Sequence, residues 1–114
     1  LLFSEGVMKN KISINKLVEV ACTNPAKVYG MYPKKGIIEP GADGDLIIID
    51  ADAKQILTHE MMHGAVDYTS YEGIPLNGKI DLVMQRGNII AENNEFKGNR
   101  GDGQYIYRKP YFDI

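Results

Sequence analysis

The run from Gly36 to Asp50 constrains this chain more than any other. Pro40-Gly41 reads as a tight reversal, because Pro fixes φ and Gly permits φ > 0. Asp43 and Asp45 flank Gly44, and then Leu46-Ile47-Ile48-Ile49 runs apolar, without polar alternation, up to Asp50. Such a run predicts a strand buried on both faces. The expected local structure is a turn followed by a central strand.

The texture changes at this point. Before it, Ile14, Leu17, Val18 and Ala21 recur at the spacing of one helix face, with Ser13 as the expected N-cap. Asn24-Pro25 predicts a second cap with Pro at the first helical position, and Gly30 the stop. Leu1 to Met8 reads as one more short helix, weakened by Gly6. After Gly36 the pattern is of short strands: Leu46–Ile49, Lys54–Leu57, Ile80–Gln85, Asn88–Ala91 and Glu95–Lys97. Asn77-Gly78 reads as a reversal, Gly87-Asn88 and Asn93-Asn94 as two-residue hairpin turns, and Ile80–Lys97 therefore as a β-meander. A sheet this small leaves edges that another segment or subunit must cover. The tail from Gly98 is glycine-rich and charged, then aromatic at Tyr105, Tyr107, Tyr111 and Phe112.

Composition narrows the class. A net charge of -2 offers no electrostatic footprint for nucleic acid. No apolar run approaches the roughly 18–20 residues that span a bilayer, and no secretory pattern appears, so neither a membrane nor export is expected. One cysteine, Cys22, makes no internal disulfide and fits a reducing cytoplasm. The start at Leu1-Leu2-Phe3, without an initiator Met, reads as a piece of something longer.

His59-Glu60-Met61-Met62-His63 matches H-E-x-x-H, in which two histidines on one helix face bind zinc beside a general-base Glu. That would make the chain a small zinc protease. Gly64 follows at once, Val66 and Thr69 stand where the extended motif needs Gly and His, and Glu92 and Glu95 lie near a hairpin turn. The motif is therefore read as a surface turn carrying two histidines. Asp43 and Asp45 lack a calcium-loop continuation and are read as turn-forming residues whose side chains hydrogen-bond their own backbone. Gly98–Gly103 lacks the Lys of a phosphate loop. Met61-Met62 reads as packing, and Cys22 as an inert buried thiol. No catalytic, substrate-binding or metal-binding residue is assigned.

Taken in order, several stretches resemble the C-terminal portion of the cyclic amidohydrolases, the dihydropyrimidinase and D-hydantoinase group. They are Leu1-Leu2-Phe3-Ser4-Glu5-Gly6-Val7, Asn24-Pro25-Ala26-Lys27-Val28-Tyr29-Gly30, Lys35-Gly36 and Pro40-Gly41-Ala42-Asp43-Gly44-Asp45-Leu46. Val66-Asp67-Tyr68 with Tyr71-Glu72-Gly73, Arg86-Gly87, and Gly103-Gln104-Tyr105 with Arg108-Lys109-Pro110 complete the set. The resemblance implies an α+β fragment: the last outer helices of a TIM barrel (1–35), the C-terminal strands of a composite β-sandwich (36–97), and an interface tail (98–114). It implies a parent that opens dihydropyrimidine or hydantoin rings with two divalent metals, zinc as a rule, bridged by a carboxylated lysine. Those ligands would all lie upstream of Leu1, so this segment alone would be inactive. The implied partners are the N-terminal part of the same enzyme and further copies of it, as a dimer or tetramer. A non-catalytic dihydropyrimidinase-related protein, with the fold but without the ligands, fits the same residues.

Overall fold

The computed structural model describes residues 1–110. Two layers follow one another along the chain, helices first and then an antiparallel sheet, the α+β order that the sequence implies.

The helical layer opens with one wide-turned helix, Leu2–Val7. Ser13, in the extended conformation, caps α1 (Ile14–Val18), its hydroxyl accepting the Lys16 N–H at 3.1 Å. The helix then continues through a wide turn, Glu19–Thr23, into α2 (Asn24–Val28). The second cap expected at Asn24 is not formed: Thr23 and Asn24 are both helical, and Thr23 makes no capping bond. The turn widens just ahead of Pro25, whose missing N–H leaves the preceding carbonyls short of a donor. Gly30 ends α2 as expected, at φ +68, with its N–H on the Lys27 carbonyl and the Met31 N–H on the Ala26 carbonyl. This paired closure satisfies two orphan carbonyls.

The sheet comprises β1 (Leu46–Ile56), β2 (Pro75–Gln85), β3 (Asn88–Glu92) and β4 (Glu95–Phe96), neighbours in chain order and all antiparallel. The meander expected over 80–97 is present, and it gains β1 as a fourth strand. Lys54 and its neighbours do not form a strand of their own. They continue β1 past a bulge in which the Asp50 carboxylate accepts the N–H groups of Asp52 and Ala53. Asn93-Asn94 makes its tight turn with both residues at positive φ. The preceding turn falls one residue earlier than expected, on Arg86-Gly87, because Gln85 pairs with Asn88.

Asn77-Gly78 is not a reversal but lies inside β2, with Gly78 at φ +101. A side chain there would meet the Phe3 ring at 2.8 Å. Beside it, the buried Ser4 hydroxyl accepts the Asn77 N–H at 3.0 Å. The glycine is needed because the Leu2–Val7 helix docks onto the strand at this point. A second tie runs from the Thr23 hydroxyl to the Gly36 carbonyl, 2.8 Å.

The core is small. Among the described residues, Ala26, Leu57 and Leu76 are its buried apolar members. Register places Ile47, Val83, Ala91 and Phe96 in one row across all four strands, and Leu46, Met84 and Ile89 in another on the opposite face. Both faces of the sheet are therefore apolar, yet Ile47 and Ile48 are each 56% exposed and Phe96 64%. The expectation that Leu46–Ile49 is buried on both faces fails among the described residues, which cover the two rows only in part. The helical face of Ile14 and Val18 is similarly open. The radius of gyration, 15.7 Å, exceeds the about 13 Å of a self-contained domain of this length.

Candidate functional site

The acidic turn is the most organised polar cluster. The Lys35 ammonium lies 2.8 Å from Asp43 Oδ2 and pairs also with Asp45 Oδ2, while the Lys34 ammonium stands 3.9 Å from Asp43 Oδ1. Asp45 Oδ1 accepts the Arg86 N–H at 2.8 Å, and the Gly87 N–H donates to the Gly44 carbonyl at 3.0 Å. Asp43 and Asp45 thus hold the turn, but through Lys35 and the Arg86 N–H and not through bonds to their own neighbouring backbone as expected. They also join the end of the helical layer to the β2–β3 hairpin. Partial burial opposes the charge on both Lys35 and Asp45, but their mutual contacts prevail. Lys35, held by two carboxylates, has its pKa raised above 10.5. Asp45, held by Lys35 and the Arg86 N–H, is lowered below 3.8. Sequence reasoning missed Lys35 and Arg86, since residues so far from Asp45 in the chain give no local signal. The cluster is a clamp: both Asp45 oxygens are hydrogen-bonded, while the buried Asp43 Oδ2, without a hydrogen bond among the described residues, is held by its ion pair with Lys35.

The histidine motif is arranged differently. His59–Met61 is a single tight 3₁₀ turn, and Met62 is extended at ψ 135. The two histidines do not share the helix face that H-E-x-x-H requires. His59 donates its N–H to Glu72 Oε2 at 2.8 Å, with its ring Nδ1 3.7 Å from the same oxygen. The His63 ring sits 6.3 Å from that of Phe96. Among the described residues, no three His, Cys, Asp or Glu converge in the manner of a metal site. Cys22 is exposed, not buried as expected, because α1 and the turn after it present that side to solvent.

An open polar cleft of about 340 Å³ lies between the β2–β3 turn and the tail, lined by Gln85, Arg86, Asn88 and Gln104 among others. Its guanidinium is engaged, donating to the Asp102 carbonyl. The tail then crosses back to α2, where Lys109 donates its N–H to the Gly30 carbonyl at 2.8 Å. Tyr111 to Ile114, the end of the expected interface segment, lie outside the described residues. No helix among the described residues is long and apolar enough to cross a membrane.

Comparison with known proteins locates this fold. The sequence profile of the amidohydrolase family matches residues 3–90. A D-hydantoinase of Geobacillus stearothermophilus is 41% identical over 111 residues, 97% of this chain but 24% of that protein. The chain therefore spans about a quarter of the length of the curated relatives it matches. The crystal structure of a D-hydantoinase superposes with a TM-score of 0.92 at 41% identity, covering 96% of this chain and 24% of the other. That of dihydropyrimidinase from Brevibacillus agri NCHU1002 gives 0.90 at 40% identity, covering 94% and 23%. With the profile matched over most of its length, the chain belongs to the amidohydrolase family.

Proposed function

We propose that this chain is the C-terminal structural and assembly part of a metal-dependent cyclic amidohydrolase that hydrolyses dihydropyrimidine or hydantoin rings. The observation that carries the proposal is the 41% identity to a D-hydantoinase along 97% of the chain. In this reading residues 1–35 complete the outer helices of a TIM barrel and 36–97 contribute strands to a β-sandwich. Residues 98–114 meet a second copy in a dimer or tetramer, and the enzyme works in the cytoplasm. The two apolar rows of the sheet support it, because each needs a covering layer that a chain four times longer can supply.

The family implies a pair of divalent metals, zinc as a rule, with a bridging carboxylated lysine. The residues here do not fit that group. Lys35 is committed to two carboxylates, and His59 and His63 are separated by a turn and face Glu72 and Phe96. No step of ring hydrolysis is assigned to these 114 residues. The metal pair and the attacking water belong, on this proposal, to the rest of the protein.

The test is to read the coding sequence ahead of Leu1 for a His-x-His pair and a metal-bridging lysine. The purified full-length protein is then assayed for opening of hydantoin and of a dihydropyrimidine, before and after chelation. Ring opening that is lost on chelation and restored by metal is expected. Absence of both the ligands and the activity would replace the enzyme by a non-catalytic relative.

A further inference from the structure

We propose that residues 102–109 form a strap between the two layers, latched by Gly30 at the end of α2. The strap has an anchor at each end. At one, the Asp102 carbonyl receives the Arg86 guanidinium beside the β2–β3 turn. At the other, the Lys109 N–H donates to the Gly30 carbonyl at 2.8 Å. Between them Ile106, half-buried, lines a groove of about 110 Å³ together with Met31, Pro33 and Tyr107, and the rings of Tyr105 and Tyr107, 78% and 89% exposed, form an edge-to-face pair.

Gly30 serves two ends here. Its φ of +68 closes α2, a requirement that Asn also meets. Its missing side chain is a separate requirement. A Cβ at Gly30 would lie on the Lys109 carbonyl oxygen and 3.1 Å from both the N and the C of that residue, all of them backbone atoms that no rotamer change can move aside. The strap thus reads the absence of a single carbon atom. Gly73 is the built-in control, at φ +80 with nothing within 4 Å of the corresponding position.

The experiment is amide hydrogen exchange on the full-length protein, following the peptide 105–110 and the α2 peptide. Wild type should protect the Lys109 amide. Gly30→Asn should speed its exchange at least about tenfold while α2 keeps its protection, and Gly73→Asn should match wild type. Ile106→Asp unseats the strap from its own side and should give the same release, so the question stays open to test if Gly30→Asn fails to fold. An unprotected Lys109 amide in wild type, or protection that survives Ile106→Asp, would overturn the strap. Equal acceleration by Gly30→Asn and Gly73→Asn would show strain at positive φ, and no latch.

Discussion

The two conspicuous motifs of this chain, the acidic turn at Asp43–Asp45 and the histidine pair at His59–His63, sit at opposite ends of β1 and differ in their surroundings. The acidic turn is held from three sides: by Lys35, by the Arg86 N–H and by the Gly44–Gly87 bond. The histidine segment rests on one carboxylate, Glu72, which is itself half exposed. The less eye-catching motif is the one the fold uses. A motif acquires a role from partners distant in sequence, and spacing within the motif does not report them.

Four outcomes would break or sharpen this contrast. The largest is expected of Asp45→Ala, which removes the Lys35 pair and leaves the Arg86 N–H without its acceptor. Urea unfolding should show a loss of about 1–2 kcal/mol, less than a buried charge pair because Asp45 is partly exposed. A loss no larger than that of a surface substitution would remove the clamp from the account.

Next comes pH. The folded pKa of Asp45 lies below 3.8, so its contribution is complete above that value and drains away as the pH falls through the lower folded pKa. Lys35 works in the opposite sense, its contribution complete below 10.5 and lost as the pH rises through the raised folded pKa. Thermal scans between pH 2 and 6 should therefore show an acid limb that Asp45→Asn flattens. An unchanged limb would assign it to other carboxylates.

Glu72→Gln is expected to cost at most about 0.5–1 kcal/mol, as it keeps an acceptor for the His59 N–H and loses only a half-exposed charge. Smallest of all, His59→Ala and His63→Ala should each shift stability by no more than about 0.5 kcal/mol. Added zinc should move the melting curve of wild type and of either variant alike. Zinc stabilisation that disappears with His59→Ala would restore the zinc-protease reading.

Much of the local structure was legible. Ser13, Gly30 and Asn93-Asn94 act where they stand, since caps and tight turns are decided by a few neighbouring residues. The failures share a cause. Asn77-Gly78 has the wording of a turn, but Phe3 and Ser4 reach it from more than seventy positions away and keep it inside β2. Asn24-Pro25 has the wording of a helix start, but the helix already in progress absorbs the proline with a wide turn. Leu46–Ile49 has the wording of a doubly buried strand, and its composition is right for one, yet the described residues cover it only in part. Of the polar clusters, a turn at Asp43 and Asp45 was readable, while the partners that hold it, Lys35 and Arg86 in place of the local backbone, were not.

By itself, the sequence determined the order of helices before strands, the caps and turns that bound them, and the family resemblance, because each is written in residues close together or in the order of short motifs. Tertiary structure alone decided which glycines serve a contact, which carboxylates find a lysine, and that the tail returns to Gly30. These depend on atoms brought together across the whole chain, and no window along it contains both partners.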